Sequence, residues 1–342
     1  MPTFSQQDKS RLKLKSIIPF LFLAITPGLC FSQNAGTANW SFSAGSGLEV
    51  LHGTAYEYVY DNSNGNKMSE LDWGIQPIIS LAAIARARYR KAELDVSCTA
   101  GFPGDSGTMT DSDWLNESVG DTSTRTNYSE SEALAEYLVD LCISFNYEFD
   151  PAATLALKPF VGFRYLNITW SATGGWFQYA SNYQQNSNPP YYSYTTGQVS
   201  YFDGCIATYE QTYSAIVVGL EADWRLTNRF SIDASFQASP AVSCTGTDSH
   251  KLRGLTYTDT MSGGYLLEPD IALDWSLSSM VDLRFHCKYT LISGLKGTDT
   301  ETADANVDSN EGLSPGQSVV YPNTAGAAFS TFGFGIIAEL HI

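Results

Sequence analysis

Residues 132–148 read EALAEYLVDLCISFNYE, and apolar side chains recur at every second position of this stretch. The apolar series is Ala133, Ala135, Tyr137, Val139, Leu141, Ile143, Phe145 and Tyr147. Because successive side chains of a β-strand point to opposite faces, this period predicts one strand with an apolar face and a polar face. A soluble sheet rarely needs a strand this long and this cleanly divided. The stretch therefore favours an all-β fold, a closed antiparallel transmembrane β-barrel.

Alternation of the same kind marks the carboxyl-terminal part of the sequence. It covers residues 267–277 and 283–291, and Ser278-Ser279 between them predicts a tight hairpin turn. A last alternating series predicts another strand of the barrel, here called a wall. It consists of Phe332, Phe334, Ile336, Ala338, Leu340 and Ile342. Segments of barrel length number about ten, and bacterial barrels prefer an even number of strands.

The connections between these segments are of two kinds. Tight turns are predicted at Asp150-Pro151 and Thr227-Asn228, whereas residues 102–130, 174–208 and 296–327 are long and polar. Outer-membrane barrels alternate short periplasmic turns with long extracellular loops in this way. We therefore expect one barrel domain with long extracellular loops.

The amino terminus has the features of a secretory signal peptide. Basic residues at positions 9–15 precede a short apolar run over 17–29, followed by the small residues Cys30 and Ser32. The run is too short to span a bilayer as a helix. We expect a signal peptide over 1–32 and a mature barrel over 33–342. A lipid anchor at Cys30 is the alternative, but Pro27-Gly28-Leu29 before it matches a lipoprotein signal poorly.

Composition and charge narrow the class of protein further. No later stretch approaches about 18 consecutive apolar residues, and this disfavours a helical membrane protein. The formal net charge is -17, and removal of the signal segment's +3 brings it near -20. An acidic surface disfavours nucleic acid and attracts cationic peptides, although solubility alone also explains it.

Five cysteines follow the predicted cleavage point. They are Cys98, Cys142, Cys205, Cys244 and Cys287. The odd number, the absence of a CxxC spacing and the lack of clustering with histidine disfavour a zinc site or a disulfide framework. Cys142 and Cys287 fall within alternating segments, and we expect them to pack as small hydrophobes.

Two short acidic elements could carry chemistry. Asp111 and Asp113 are two residues apart, as are Asp248 and His250, so each pair points to one side if the backbone is extended. His250 would act as general base for a water molecule, and Asp248 would orient its ring. Repulsion within the Asp111–Asp113 pair would raise one pKa, so that this carboxylic acid could donate a hydrogen bond to the developing oxyanion.

Two considerations weigh against this interpretation. On spacing alone, both elements could be ordinary loop residues. In addition, strict alternation from Phe230 to Ala238 would turn Asp248 and His250 outward. We therefore expect a β-bulge near Pro240 or Gly246 to restore their inward direction.

The two elements resemble, in the same order, the Asp-x-Asp-Trp and Asp-x-His elements of the omptin family of outer-membrane endopeptidases. Segments 53–60, 69–73 and 107–114 also look like omptin segments, so the resemblance spans nearly the whole mature chain. It implies that the catalytic residues are Asp111, Asp113, Asp248 and His250. It also implies that Glu57, which faces inward on the alternation, lines a pocket for a basic P1 side chain.

The sequence departs from the family at two places. Gly246 stands where the family has a second acidic pocket residue, so the preference for arginine or lysine at P1 is open. Asn167 and Thr212 stand near the positions of the family's lipid A-binding arginines. Activation by lipopolysaccharide is therefore open as well.

The resemblance implies an outer-membrane endopeptidase that cleaves extracellular proteins or cationic peptides, with its active site on the extracellular side and a preference for basic P1 residues. We expect outer-membrane lipid as its surroundings and no cofactor or metal, and the HExxH zinc motif is absent. One alternative is a catalytically silent adhesin or matrix-binding barrel that uses the Tyr-rich segment 174–204. A porin is a third possibility, which the narrow lumen of ten strands disfavours.

Overall fold

The computed structural model describes residues 39–116, 121–181, 183–184 and 191–342. The predicted signal peptide over 1–32 lies outside these described residues. From Trp40 to Ile342 the described chain is one compact unit. Within it, no helix has the length and apolar character needed to cross a membrane.

Fifteen strands and two short 3-10 turns make up the regular structure of the described residues. The strands are β1 Trp40–Tyr60, β2 Lys67–Tyr89, β3 Ala92–Gly101, β4 Gly104–Asp113, β5 Asn127–Tyr147, β6 Phe149–Ala152, β7 Leu155–Tyr179, β8 Tyr183–Gln184, β9 Tyr191–Tyr192, β10 Val199–Tyr201, β11 Cys205–Arg225, β12 Phe230–His250, β13 Leu255–Ser276, β14 Val281–Ala303 and β15 Ser318–His341. The 3-10 turns cover Tyr194–Thr196 and Ser309–Glu311.

The long strands form a closed antiparallel ring. Its order is β11, β12, β13, β14, β15, β1, β2, β3, β5 and β7, and β7 pairs again with β11. β3 and β4 both lie between β2 and β5, so they form one wall interrupted at Phe102-Pro103. The predicted barrel of about ten strands is confirmed.

The outer surface of the ring carries an apolar belt. Exposed apolar side chains occur on all ten walls, and they include Leu48, Val50, Ile79, Leu94, Ile143, Phe145, Val161, Phe163, Ile216, Val218, Phe236, Ile271, Leu273, Phe285, Phe334 and Ile336. Such a belt is what a bilayer requires of a spanning barrel. Beyond it, the strands continue toward the end where most of the longer loops lie, here called the long-loop end.

The lumen is filled with side chains inside the belt and just above it. Arg164 forms ion pairs with Asp140 and Glu268, and all three side chains point into the lumen. Nearer the long-loop end, Trp73 and Trp170 are fully buried, with ring centroids 5.9 Å apart. An open water channel of the porin kind does not fit this packing.

A β-bulge on β5 overturns one expectation from the sequence. Ala135 pairs with Trp170 and Tyr137 with Thr169, which leaves Glu136 as an extra residue. The extra residue reverses which side chains face the lumen. Ala135 is consequently buried inside while Phe145 is exposed outside. The prediction that the whole apolar series of 132–148 shares one face is therefore wrong.

The predicted connections are confirmed in part. Ser278-Ser279 joins β13 to β14, and Thr227-Asn228 lies in the short turn between β11 and β12. Asp150-Pro151 instead belongs to the short strand β6, and the turn follows at residues 153–154. The segments expected to be long loops are also shorter than predicted, because several strands run on beyond the belt. In water both faces of a strand can be polar, so alternation no longer marks it there.

Candidate active site

The five residues singled out from the sequence line one cavity at the long-loop end. The cavity has a volume of about 550 Å³, and Asp111, Asp113, Asp248, His250 and Glu57 all contribute to its lining. Each lies between the apolar belt and the long-loop end of its own strand. β4 and β12 are four walls apart around the ring, so the two acidic elements face one another across the cavity.

A bulge on β12 turns the Asp–His element inward. The pairing with β13 shifts between Ser239 and Val242, and both of these side chains are buried. At Pro240-Ala241 β12 has one residue more than each neighbouring strand, and this single extra residue reverses the inward and outward positions beyond it. The bulge expected near Pro240 is confirmed, and it explains why Asp248 is only 2% exposed.

Asp248 and His250 form a tight pair. The distance from His250 Nε2 to Asp248 Oδ2 is 2.6 Å, and the ring of Tyr257 lies edge-on to the imidazole at 5.2 Å. With Nε2 bound to the carboxylate, Nδ1 is the nitrogen left to accept a proton. Burial lowers the pKa of His250, but the charge and hydrogen bond of Asp248 outweigh burial and raise it above its ordinary value.

Asp111 and Asp113 are held by polar side chains of the adjoining walls. Ser69 Oγ on β2 donates to Asp111 Oδ1 over 3.4 Å, and Asn127 Nδ2 on β5 donates to Asp113 Oδ2 over 2.9 Å. Burial, and then the charge of Asp113, raise the pKa of Asp111 to about 7. Asp111 is therefore the member of the pair suited to carry a proton near neutral pH.

Glu57 lies deeper in the same cavity and is 5% exposed. Its Oε2 atom is buried and has no hydrogen-bond partner within the described part of the chain. Burial, followed by the charges of Asp248, Asp259, Asp111 and Asp299, raises its pKa well above the ordinary range. The inward direction expected for Glu57 is confirmed.

Two cavity residues were missed by reasoning from the sequence. Asp259 on β13 and Asp299 on β14 line the cavity and lie opposite each other in the strand register. The signal was present, because the hairpin register set by the Ser278-Ser279 turn already pairs these two positions. Arg253 also lines the cavity, and its guanidinium binds Glu311 at 2.7 Å.

The outer face of the barrel is polar around Asn167 and Thr212, where the sequence departs from the family. Asn167 Nδ2 donates to Glu210 Oε1 over 3.0 Å and to Thr212 Oγ1 over 2.7 Å. Neighbouring positions Leu166 and Tyr213 are buried inside, so these three side chains belong to the outer face. Asn167 thus contacts a carboxylate and a hydroxyl.

A barrel with a lipid-facing belt and a cleft of titratable side chains at one end belongs to the membrane-barrel class of proteins. The model of the omptin family matches residues 38–334, and the chain belongs to that family. It is 26% identical over 224 residues to the plasminogen activator of Yersinia pestis, covering 65% of this chain and 67% of the relative. The crystal structure of the outer-membrane protease OmpT from Escherichia coli has a TM-score of 0.75 at 18% identity, covering 88% of this chain and 97% of the other. The protein is accordingly a protease of the bacterial outer membrane.

Proposed function

We propose that the protein is an endopeptidase that hydrolyses peptide bonds in extracellular proteins or cationic peptides. The observation that carries the proposal is the convergence of the Asp248–His250 pair and the Asp111–Asp113 pair on one cavity. The cavity opens at the long-loop end, which in outer-membrane barrels is extracellular. The site would therefore meet substrates from outside the cell.

The proposed reaction uses water as nucleophile. His250 Nδ1 takes a proton from the water as its oxygen bonds to the scissile carbonyl carbon, and Asp248 stabilises the resulting imidazolium. The protonated Asp111–Asp113 pair donates a hydrogen bond to the oxyanion and keeps its proton when the carbonyl re-forms. The imidazolium then returns its proton to the leaving nitrogen as the carbon–nitrogen bond breaks. Electrons and protons balance without an acyl-enzyme.

The charge of the cavity favours cationic substrates. Glu57 lies buried in it with an unpartnered oxygen, and removing a carboxylate from water without a partner is costly. A basic P1 side chain would supply the missing partner. Glu57 is therefore proposed as a substrate-binding residue.

The test compares wild type with Asp248→Asn and His250→Ala, each refolded in lipid and given a mixed peptide library. Loss of the general base is expected to lower kcat/KM by about 10²–10⁴-fold. A matched control is His341→Ala. His341 forms a similar pair with Asp282, at a distance of 2.9 Å from Nε2 to Oδ2, and neither residue lines the cavity. His341→Ala should cleave like wild type.

Two results would contradict the proposal. One is activity in His250→Ala equal to that of wild type. The other is a folded wild type that cleaves nothing in several lipids yet binds matrix proteins as well as His250→Ala does. The second result would favour the alternative of a silent adhesin.

A further inference from the structure

The floor of the active-site cavity holds more carboxyl groups than the sequence resemblance indicates. Glu57 comes from β1, Asp259 from β13 and Asp299 from β14, and all three line the cavity. Glu57 and Asp259 are each 5% exposed. Three strands within four consecutive walls of the ring, β13 to β1, thus direct acidic side chains to one place.

Asp259 occupies the space beside Gly246. The two residues are opposite each other in the β12–β13 register. A Cβ atom on Gly246 would lie 3.2 Å from Asp259 Oδ2, 3.3 Å from Asp259 Cβ and 3.3 Å from the hydroxyl of Tyr209. A longer side chain at position 246 would need the volume that the Asp259 carboxyl group already fills. The glycine therefore makes room for a carboxyl group from the next strand.

The acidic groups lack a cationic partner. Glu57 Oε2 and Asp299 Oδ1 are buried without a hydrogen-bond partner among the described residues. Arg253 is the one lysine or arginine that lines the described cavity, and Glu311 binds it in a two-pronged contact at 2.7 Å. Buried carboxylates without partners are costly, so the arrangement favours an occupant that brings positive charge.

The chemistry of the donors points to an organic cation. No group of His, Cys, Asp and Glu side chains in the described ranges is arranged to hold a metal ion. A guanidinium presents five N–H donors in a plane, whereas an ammonium presents three from a single point. Carboxyl groups on separate strands match the spread of guanidinium donors better than a point charge.

We propose that Asp259, assisted by Asp299, replaces the carboxylate missing at Gly246 and completes with Glu57 a pocket that selects an arginine side chain over lysine. The inference rests on the proposed function, since it concerns the substrate side chain held beside the scissile bond. It assigns the specificity to strands β13 and β14, outside the Asp-x-His element itself.

The test measures binding separately from cleavage. The His250→Ala barrel in micelles is titrated calorimetrically with three peptides that differ at one position, which holds arginine, lysine or uncharged citrulline. The arginine peptide should bind tightest and the citrulline peptide weakest. Adding Asp259→Asn should weaken the arginine peptide about tenfold or more and leave the citrulline peptide unchanged, because a charged hydrogen bond is lost.

Matched variants separate the pocket from general electrostatics. Asp203→Asn removes one exposed carboxylate near the start of β11, outside the cavity lining, and should change neither affinity. Gly246→Asp alone should not improve arginine binding, because its side chain meets Asp259. Gly246→Asp combined with Asp259→Gly moves the carboxylate across the strand pair and should recover arginine selectivity.

The outcomes distinguish the two proposals. An unchanged ratio of arginine to citrulline affinity in Asp259→Asn, in a barrel that keeps its heat-modifiable gel band, overturns the pocket assignment even if wild type cleaves peptides. Arginine-selective binding that depends on Asp259, in a protein whose wild type cleaves nothing, supports the pocket and overturns the endopeptidase proposal.

Discussion

At the scale of single residues, the site depends on which carboxyl groups keep a proton. Asp248 contacts the imidazole of His250 at 2.6 Å, whereas Asp111 has a second carboxylate beside it on the same strand face. The first arrangement stabilises a cation and the second stabilises a neutral acid. In the proposed mechanism, one cavity therefore supplies a base and an acid that are both usable near neutral pH.

The pH dependence of His250 tests this division. His250 must be neutral to act as base, and its pKa lies above the ordinary value because of Asp248. In Asp248→Asn the charge is lost while burial remains, so the pKa should fall and the acid limb of kcat/KM should move to lower pH. NMR titration of the imidazole resonances measures the pKa directly.

A control keeps this experiment specific to the site. Asp282→Asn removes the partner of His341, which lies outside the cavity, and should not move the His250 titration. An unchanged His250 titration in Asp248→Asn would refute the role assigned to the pair.

At the scale of strands, bulges decide which residues reach the lumen. The bulge at Pro240-Ala241 lies between the apolar belt and Asp248 on β12, and the one at Glu136 lies between Phe145 and Ser129 on β5. Gly263 on β13, with a φ of 81°, marks another irregularity of register. A strand whose lipid-facing side chains are apolar in the belt can therefore direct acidic side chains into the lumen nearer the long-loop end.

Deletion of Ala241 tests the β12 bulge. Removal of one residue should reverse the parity of the strand beyond it and turn Asp248 and His250 away from the cavity. Cleavage is expected to fall by about 10²-fold or more, as for loss of the general base. Deletion of Pro315, in the loop between β14 and β15, should leave cleavage intact.

The barrel should still fold in both deletion variants, because the belt segments are untouched. The shift of the unboiled gel band reports folding, and peptide cleavage reports the site. Full activity after deletion of Ala241 would show that the bulge does not set the direction of the pair.

The sequence predicted the β12 bulge but not the β5 bulge, for a physical reason. At β12 the functional element required an inward direction that strict alternation denied, so the conflict revealed the extra residue. At Glu136 the apolar series continued unbroken through the bulge, because small Ala133 and Ala135 pack inside as readily as Phe145 meets lipid. Alternation of apolar and polar residues shows that the two faces of a strand differ in environment. It does not show whether the apolar face packs in the lumen or faces lipid.

The pocket residues Asp259 and Asp299 were overlooked for a related reason. Each is one acidic residue between threonines, on a strand segment outside the belt where both faces are polar. Only the hairpin register brings them together. The fold class and five cavity residues could be predicted from the sequence, whereas this pair is found only by extending the register of the predicted Ser278-Ser279 hairpin beyond the belt.

At the scale of the whole molecule, ion pairs hold the belt region of the lumen together. Arg164 is 3% exposed and contacts Asp140 on the adjacent strand β5 and Glu268 on β13, three walls away. Lys288 adds a contact to Glu49 at 3.0 Å. Charges buried in this way stabilise only while every member has its partner.

Arg164→Ala should therefore destabilise the barrel by about 3–5 kcal/mol, because two buried carboxyl groups lose their common partner. Urea unfolding in lipid vesicles measures the free energy. Arg225→Ala, at an exposed position near a short turn, is the control and should have little effect. Equal stability of the two variants would show that the network contributes nothing.

Lipid dependence is a second property of the whole barrel. On its outer wall, Asn167 contacts Glu210 and Thr212, so an anionic lipid headgroup gains no ion pair from them. We expect equal kcat/KM in phospholipid vesicles with and without lipopolysaccharide. A large activation by lipopolysaccharide would place its binding site elsewhere on the wall.

The bulges between belt and cavity also bear on how such a protein changes over generations. Each bulge separates two segments of its strand, one in the membrane-spanning belt and one that lines the cavity. Substitutions that adapt the belt segment to a thicker or thinner membrane leave unchanged which side chains of the cavity segment point inward. A change of substrate specificity through residues above the bulges, such as the proposed pocket residue Asp259, would therefore leave the membrane-facing surface unchanged.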